Sequence, residues 1–584
     1  MIIDPHTETL FAKYSLKLFV ALLLTPLAML YAAEPIAPSA PAVKEAKDVT
    51  REIVVEKKFL SFPVKKGAKK RLVQVAVDGE QVRAFDIELA DGTPDWWAPL
   101  DVSTWLGKKL TVLADTLPPG SKALDSLRQS DTLIGSENLY REPLRPQLHF
   151  SAKRGWLNDP NGLVFYNGEY HLFFQHNPYG WNWGNMHWGH ATSPDLVHWQ
   201  EHGDVLNPDN LGAMFSGSAV VDWNNTSGFG QGKKPPLVLI YTATAAGQCL
   251  AFSTDGRTFT KYSLNPVIKT FVAGNRDPMV FWHEPSRKWV MVLYGVLPSA
   301  GGELDKQGKP VPQHTIHFFT SPNLRDWTLT STVKGGVGDD RYLYECPNFF
   351  TLPIDGDPAH RKWVLTAANS DYAIGDFNGT TFTPQTSKLS GVRGCFYAAQ
   401  TFGDVPDGRR IQMGWCRASS PDMPFNQCLS LPCALTLRRT PEGVRLLRQP
   451  IKELETLRDG PNQADAITTF RAELIELRAD FEPGDTETIN FTLRGAKIVY
   501  NAKNQEIIVN GQHAPAPLVD GKQNVIVFVD RTILEVFASN GLTYLPIPFI
   551  PRPEDQSVSI DVSGGKAKMN SLQLYKLKSL WKAL

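Results

Sequence analysis

Short apolar runs separated by polar turns follow one another along most of the chain. In the segment RLVQVAVDG, residues 71–79, apolar and polar positions alternate, which indicates a strand with one buried face. Similar runs fill residues 49–117, and turn sequences such as DGE and ADGT separate them. This succession predicts a small antiparallel β-sandwich, to which we assign residues 49–135.

A longer repeat occupies residues 140–450. Its unit is an acidic or small polar turn, an apolar strand, a second turn and a second apolar strand, as in NDPNGLVFYNGEYHLFF. Strand repeats of 51 to 68 residues, the spacing found here, are typical of propeller blades. The sequence therefore predicts a five-bladed β-propeller. Its five units begin near Asp159, Ser216, Asp277, Glu345 and Phe396.

The pattern changes after residue 450. The segment IKELETLRDG predicts a short helical connector, and strands alternate with turns from residue 466 onward. We assign residues 460–584 to a second, larger β-sandwich. The predicted fold class is all-β: a five-bladed β-propeller, a C-terminal β-sandwich after it and an additional small N-terminal β-sandwich before it.

Composition supports several domains rich in turns. A chain of 584 residues is too long for one hydrophobic core, and 43 Pro with 45 Gly are typical of many turns. Lys+Arg and Asp+Glu balance at 60 each, so no basic field favours a nucleic acid partner. The six cysteines are scattered without a zinc-binding spacing, which predicts mainly buried free thiols. We expect no metal and no cofactor.

The N-terminal segment has the pattern of a secretory signal. Lys13 and Lys17 precede the apolar run LFVALLLTPLAML, and small residues follow it. We assign residues 1–33 to a signal peptide and 34–48 to a linker, and expect a secreted or periplasmic protein. An uncleaved membrane anchor is the alternative, because the segment before the apolar run is long and a clean A-x-A cleavage site is missing.

The repeat also locates candidate chemistry. The first strand of each blade lines the channel of a propeller, so residues at matching positions converge on its axis. Asp159, Asp277 and Glu345 occupy such positions in the first, third and fourth units. Converging carboxylates are what glycoside hydrolysis needs, with one ionised and one protonated. Calcium binding and structural ion pairs are the alternatives, although calcium loops carry denser acidic clusters.

Several motifs carry a family resemblance. WLNDPNG, HLFFQHNP, MFSGSAVVD, RDPMVFW and YECPNFF, in this order, resemble the signature blocks of glycoside hydrolase family 32, the β-fructofuranosidases. The resemblance covers residues 148–447, and DRTILEVFASNG resembles part of the C-terminal sandwich of that family. The N-terminal sandwich is outside the common family core and is similar to an accessory module found ahead of some bacterial members.

The resemblance implies a role for each carboxylate. Asp159 would be the nucleophile that forms a covalent fructosyl-enzyme, Glu345 the general acid and base, and Asp277 the group that holds the fructose hydroxyls. The implied reaction is the release of terminal β-D-fructofuranosyl residues from levan, inulin or sucrose with retained configuration. The residues expected to bind the sugar are Trp156, Asn158, Gln175, Trp183, Phe215, Ser216, Arg276 and Trp415.

Two other functions remain open at this stage: a fructosyltransferase, and a non-catalytic fructan-binding protein. His187, His190 and His198 are expected to serve packing and hydrogen bonding rather than catalysis. Two features depart from the family pattern: Cys395 stands where an acidic residue commonly precedes the F-Y-A segment, and Trp181 adds a second indole near the pocket entrance. The oligomeric state is not predicted.

Overall fold

The computed structural model describes residues 45–581. The signal peptide predicted at 1–33, and the predicted linker up to residue 44, lie outside these residues. Regular structure in the described part is β throughout apart from short 3-10 helices, which confirms the all-β fold class. No helix among residues 45–581 is long and apolar enough to span a membrane.

The N-terminal sandwich consists of two facing sheets, in the orders β1-β6-β3-β4 and β5-β2-β7. Its first strand starts slightly ahead of the boundary expected at residue 49. Alternate residues of the third strand (Val73, Val75 and Val77) are buried in the core between the sheets, as the alternating sequence predicts. The elements are β1 (Ala46–Val54), β2 (Phe59–Val64), β3 (Arg71–Val77), β4 (Glu80–Ile87), β5 (Trp96–Asp101), η1 (Ser103–Trp105), β6 (Lys109–Leu117), β7 (Arg128–Ser130) and η2 (Ser136–Asn138).

The next part of the chain forms three sheets in which most strands pair antiparallel with their neighbours in sequence. The first contains β8 (Gly155–Tyr166), β9 (Glu169–Asn177), β10 (His187–Ser193) and β11 (Gln200–Leu206). The second contains β12 (Met214–Val221), β13 (Leu237–Ala243), β14 (Gly247–Ser253), β15 (Thr260–Lys261) and β16 (Ile268–Lys269). The third contains β17 (Ala273–His283), η3 (Glu284–Ser286), β18 (Lys288–Pro298), β19 (Pro312–Ser321) and β20 (Thr328–Val337).

The remaining propeller strands form a nine-stranded sheet made of two antiparallel units. The first unit is β21 (Asn348–Ile354), β22 (Asp357–Thr366), β23 (Tyr372–Phe377) and β24 (Phe382–Pro384). The second includes β25 (Phe396–Thr401), β26 (Arg410–Cys416), β28 (Cys428–Leu429), β29 (Cys433–Thr440) and β30 (Gly443–Pro450). A single parallel pair, Ile354 with Leu437, joins the units. The short β27 (Phe425–Asn426) returns to pair with β8.

One central channel lies between the first strands of these units. A cavity of about 360 Å³ is lined by residues of β8, β12, β17, β21 and β25. Hydrogen bonds connect neighbouring strands: Ser218 accepts from the backbone N–H of Val280 at 3.0 Å, and the Thr401 hydroxyl donates to Asn348 at 3.0 Å. This arrangement supports the five-blade count, which remains a prediction from the spacing of the repeat.

The C-terminal sandwich packs two five-stranded sheets face to face, in the orders β38-β37-β36-β31-β40 and β35-β34-β33-β32-β39. The predicted helical connector is a 3-10 helix, η4 (Lys452–Leu457), followed by η5 (Ala464–Ala466). The other elements are β31 (Ile475–Glu482), β32 (Thr488–Leu493), β33 (Ala496–Asn501), β34 (Glu506–Val509), β35 (Gln512–Pro515), β36 (Gln523–Val529), β37 (Ile533–Ala538), η6 (Ser539–Gly541), β38 (Thr543–Pro548), β39 (Val558–Ser563) and β40 (Lys568–Lys576).

A buried polar cluster joins the start of the propeller to the C-terminal sandwich. His149 lies 2.8 Å from a carboxylate oxygen of Asp530 and 3.2 Å from one of Glu535, and all three side chains are fully buried. Burial alone would lower the pKa of His149, but hydrogen bonds with the two carboxylates outweigh it and raise the pKa to about 9. A protonated histidine therefore holds these two domains together at neutral pH.

Candidate active site

Three carboxylates from separate sheets meet at one end of the propeller. Asp159 lies in β8, Asp277 in β17, and Glu345 just before β21. Cys346 shows how close they are, because its Sγ lies 3.5 Å from Oδ2 of both Asp159 and Asp277. Its backbone N–H also donates to Asp277 Oδ2 at 3.0 Å. The structure thus brings the three predicted residues together in one site.

Asp159 is oriented by the residues around it in sequence and by the next sheet. It accepts a hydrogen bond from the Ser216 hydroxyl at 2.7 Å and from the Asn158 amide at 3.0 Å. Asn158 in turn accepts from the indole N–H of Trp156 at 3.0 Å. Desolvation raises the pKa of Asp159, and the charge of Glu345 adds to this, while the hydrogen-bond donors oppose it. The WLND motif therefore builds a chain of hydrogen bonds that ends on the carboxylate.

Asp277 is buried, and its pKa is strongly raised. Burial raises its pKa to about 7; Arg276 opposes this shift and Glu345 increases it. Its backbone is left-handed, with φ of 64°, and so are those of Glu345 at 40° and Cys346 at 44°. Such conformations cost about 1–3 kcal/mol each and cluster at functional sites. No local motif in the sequence indicates these left-handed conformations.

Glu345 has a hydrogen-bond partner on each oxygen. Arg276 donates to Oε2 from Nη2 at 2.7 Å and from Nε at 3.1 Å. The hydroxyl of Tyr397 donates to Oε1 at 2.5 Å. Tyr397, in β25, was missed by sequence reasoning, although the F-Y-A segment that contains it had drawn attention. Burial and the charge of Glu345 raise the pKa of this phenol, so it stays protonated.

Arg276 is itself held in place. Its Nη1 donates to the carbonyl of Gly274 at 2.7 Å, and its guanidinium lies 4.6 Å from the centre of the Tyr294 ring. The hydroxyl of Tyr344 lies 3.3 Å from Nη2. The single charge of Arg276 cannot balance all three carboxylates. Neighbouring negative charges repel each other and so resist full ionisation. This repulsion adds to burial in raising the pKa of Asp277 to about 7.

Aromatic side chains form walls around the cluster. Trp156 and Trp415 make an edge-to-face contact with ring centres 5.8 Å apart, and Trp415 makes another with Tyr397 at 6.1 Å. On the side of β12, Trp183 contacts Phe215 edge-to-face at 5.9 Å. Trp183 is 53% exposed, whereas the other four rings are half-buried. Four of these five rings were predicted to bind the sugar, namely Trp156, Trp183, Phe215 and Trp415.

Two other side chains near the pocket are bound to backbone groups. The Gln175 amide, which is buried, donates to the carbonyl of Met214 at 2.9 Å, so this predicted sugar contact connects β9 with β12. The indole N–H of Trp181 donates to the carbonyls of Met423 and Phe425, at 3.1 Å each. Trp181 therefore connects the loop between β9 and β10 to the backbone around β27.

Cys395, which stands where an acidic residue is common in the family, belongs to the hydrophobic core. It packs in the same buried cluster as Phe396 and Cys416, and its backbone N–H donates to the carbonyl of Pro546 in the C-terminal sandwich at 3.0 Å. The contact with that sandwich could not be read from a local motif. All six cysteines are buried and free, as predicted.

The three histidines of the first propeller sheet pack and form hydrogen bonds, as expected. The ring of His190 stacks on Phe173 with centres 4.4 Å apart. His198 bonds to Asp195 at 2.8 Å, and His187 is buried, which lowers its pKa to about 4. Among residues 45–581, no group of three or more His, Cys, Asp or Glu side chains has the geometry to hold a metal ion.

Comparison with known proteins agrees with the geometry. The family model for the glycosyl hydrolases family 32 N-terminal domain matches residues 149–450, and the one for the family 32 C-terminal domain matches 443–576. A levanase of Bacillus subtilis (strain 168) is 37% identical over 505 residues, covering 76% of this chain and 72% of that protein.

Two fungal proteins are also similar. An extracellular exo-inulinase of Aspergillus niger is 31% identical over 537 residues, covering 76% of this chain and 96% of that protein. The crystal structure of an exo-inulinase from Aspergillus awamori matches with a TM-score of 0.64 at 29% identity, covering 76% of this chain and all of that one. The chain with this three-carboxylate site belongs to glycoside hydrolase family 32.

Proposed function

We propose that the protein is a secreted, retaining glycoside hydrolase that releases terminal β-D-fructofuranosyl residues from levan, inulin or sucrose. The observation that carries this proposal is the contact of Cys346 Sγ with both Asp159 and Asp277, next to Glu345. The fructan class is supported by the levanase and exo-inulinase relatives. Secretion is supported by the signal-like segment at residues 1–33 and by the extracellular fungal relative.

In the proposed first step, Asp159 attacks the anomeric carbon of the fructosyl unit. The bond from that carbon to the glycosidic oxygen breaks, and Glu345 gives its proton to the departing oxygen. In the second step Glu345 takes a proton from water, the water oxygen attacks the same carbon, and Asp159 leaves. Two inversions retain the configuration, which requires the two carboxyl groups to lie about 5–5.5 Å apart.

The partners of Glu345 determine which of its oxygens carries the transferable proton. A guanidinium only donates hydrogen bonds, so Oε2, which Arg276 contacts, acts as an acceptor. The proton therefore belongs on Oε1, where the Tyr397 hydroxyl accepts or donates as the protonation state changes. Arg276 and Tyr397 together orient the acid toward the substrate.

Asp277 is proposed to bind the hydroxyls of the reacting fructose. It is buried, its backbone is constrained and Cys346 fixes one of its oxygens, so the other is free to accept from a sugar hydroxyl. Hydrogen bonds from a substrate to a preorganised carboxylate stabilise a transition state in which positive charge develops on the ring. The exposed indole of Trp183 provides a flat surface at the pocket mouth.

The proposal is tested with purified D159A and E345A on sucrose, inulin and levan. We expect fructose release to fall by about 10³-fold or more in both variants, with unchanged circular dichroism spectra and thermal unfolding. The first anomer released by the wild-type protein, followed by NMR, should be the β-form of fructose. Full activity in either variant would contradict the assignment, and release of the α-form would exclude retention.

A further inference from the structure

The N-terminal sandwich contacts the loop that forms one side of the pocket mouth. Residues 178–186, here named the rim loop, connect β9 to β10 and carry Trp181 and Trp183. The family models begin at residue 149, so the sandwich lies outside the matched region. Three separate contacts connect the sandwich to the rim loop.

The first contact is a buried aromatic pair. Tyr179 of the rim loop is only 3% exposed and belongs to the hydrophobic core of the N-terminal sandwich. Its ring stacks on that of Phe85 in β4, with centres 3.7 Å apart and an angle of 12° between the planes. Burial of an aromatic side chain in the core of another domain is a strong anchor. The start of the rim loop is therefore fixed to the sandwich.

The second contact is a pair of hydrogen bonds to a sheet edge. The Asn185 side chain donates to the Asp86 carbonyl at 2.8 Å and accepts from the Asp86 N–H at 2.9 Å. Asp86 lies in β4, an edge strand whose free backbone groups this amide satisfies. Asn185 also donates to Asn177, which donates to the carbonyl of Asn182 inside the loop at 2.8 Å. The end of the loop is fixed as well.

The third contact is a cation over an indole. The ammonium of Lys66 lies 4.2 Å from the centre of the Trp181 ring and 3.3 Å from a carboxylate oxygen of Asp422. Trp181 also bonds to the backbone at Met423 and Phe425. Lys66 therefore connects the sandwich, the rim loop and the segment that follows β26.

Trp183 lies between these anchors and is 53% exposed, with its edge-to-face contact to Phe215 directing it to the pocket. Phe215 precedes Ser216, whose hydroxyl binds Asp159. An anchored loop loses less conformational freedom when a ligand binds, so its affinity for the ligand is higher. We propose that the N-terminal sandwich is a positioning module that holds Trp183 at the pocket mouth and thereby sets the affinity for fructan. This inference rests on the proposed function.

Variants K66A and N185G test the proposal, each made separately. Asn185 has a φ of 44°, which glycine adopts without strain, so N185G removes the side chain but not the loop conformation. K109A is the matched control, because Lys109 is exposed and forms its ion pair with Glu52 inside the sandwich. We expect KM for inulin and levan to rise about fivefold in K66A and N185G with kcat nearly unchanged, and K109A to match the wild type.

Hydrogen exchange of the peptide covering residues 178–187 provides a readout that needs no substrate. We expect about tenfold faster exchange in K66A and N185G than in K109A. In a W183A background, K66A should not raise KM further, because both changes remove the same contact. Exchange rates and KM values equal to those of K109A would overturn the proposal. Additive effects of K66A and W183A on KM would also overturn it. If the wild type releases no fructose, the proposed function fails while the exchange result still decides whether the sandwich orders the loop.

Discussion

At the scale of single residues, the site combines features that the sequence shows with features that it hides. Asp159, Asp277 and Glu345 stand at matching positions of a repeat, so their convergence was predictable. The partners of Glu345 were not, because Tyr397 comes from a different antiparallel unit and Arg276 comes from a different sheet. Local patterns record which residues share a face, whereas such contacts depend on how whole units pack.

The raised pKa of Asp277 predicts that this residue destabilises the fold at neutral pH. A carboxyl whose pKa rises from 3.8 to about 7 on folding contributes stability below pH 3.8, and this stability is lost as pH rises through 7. D277N removes the buried charge, and Asn tolerates a φ of 64°. We expect the Tm of D277N to exceed that of the wild type by about 2–4 °C at pH 8.

The same comparison at pH 4 is the control for D277N, because there Asp277 is largely protonated in the folded protein and the gain in Tm should shrink. Thermal unfolding of both proteins between pH 4 and 8 measures this difference. A Tm gain that is independent of pH, or a lower Tm at pH 8, would show that the charge of Asp277 is compensated in the folded state.

At the scale of elements, strand periodicity was predictable and the joining of sheets was not. Apolar runs located the propeller strands, and the 3-10 helix Lys452–Leu457 matches the predicted connector. The parallel pair between Ile354 and Leu437 and the return of Phe425–Asn426 to β8 involve strands distant in sequence. Neither leaves a pattern in the local sequence. The same is true of the core position of Cys395.

The buried cluster around His149 predicts a pH-dependent domain interface. The pKa of His149 is raised from 6.5 to about 9. The contribution of His149 to stability is therefore complete below pH 6.5 and is lost as pH rises through 9. In H149Q we expect a Tm about 5 °C lower at pH 6, because two buried carboxylates lose their cation. The Tm deficit should become smaller between pH 6.5 and 9.

H198Q is the control for this prediction, since His198 lies in a partly exposed turn and bonds to Asp195 within the same loop. Its Tm should follow that of the wild type at every pH. Differential scanning calorimetry of the three proteins from pH 6 to 9 measures the effect. A constant Tm deficit in H149Q across this range would mean that His149 packs as a neutral side chain.

At the scale of the whole molecule, three β domains are joined by contacts between buried residues. The propeller provides the three carboxylates, the C-terminal sandwich is bound to it through His149, and the N-terminal sandwich holds the rim loop. The order of the domains was predictable from the sequence. The role of the N-terminal sandwich was not, because its contacts to Trp181 and Asn185 join residues far apart in the chain.

In the proposed mechanism, Asp159 forms a covalent bond with the fructosyl unit while Glu345 transfers the proton. Intact-mass spectrometry of E345A with fructosyl fluoride, whose leaving group needs no proton, tests this division of roles. We predict a mass increase of one fructosyl residue in E345A, mapped by proteolysis to the peptide that contains Asp159, and no increase in D159A. An adduct on another residue, or turnover of the fluoride by D159A at the E345A rate, would contradict the assignment of Asp159 as the nucleophile.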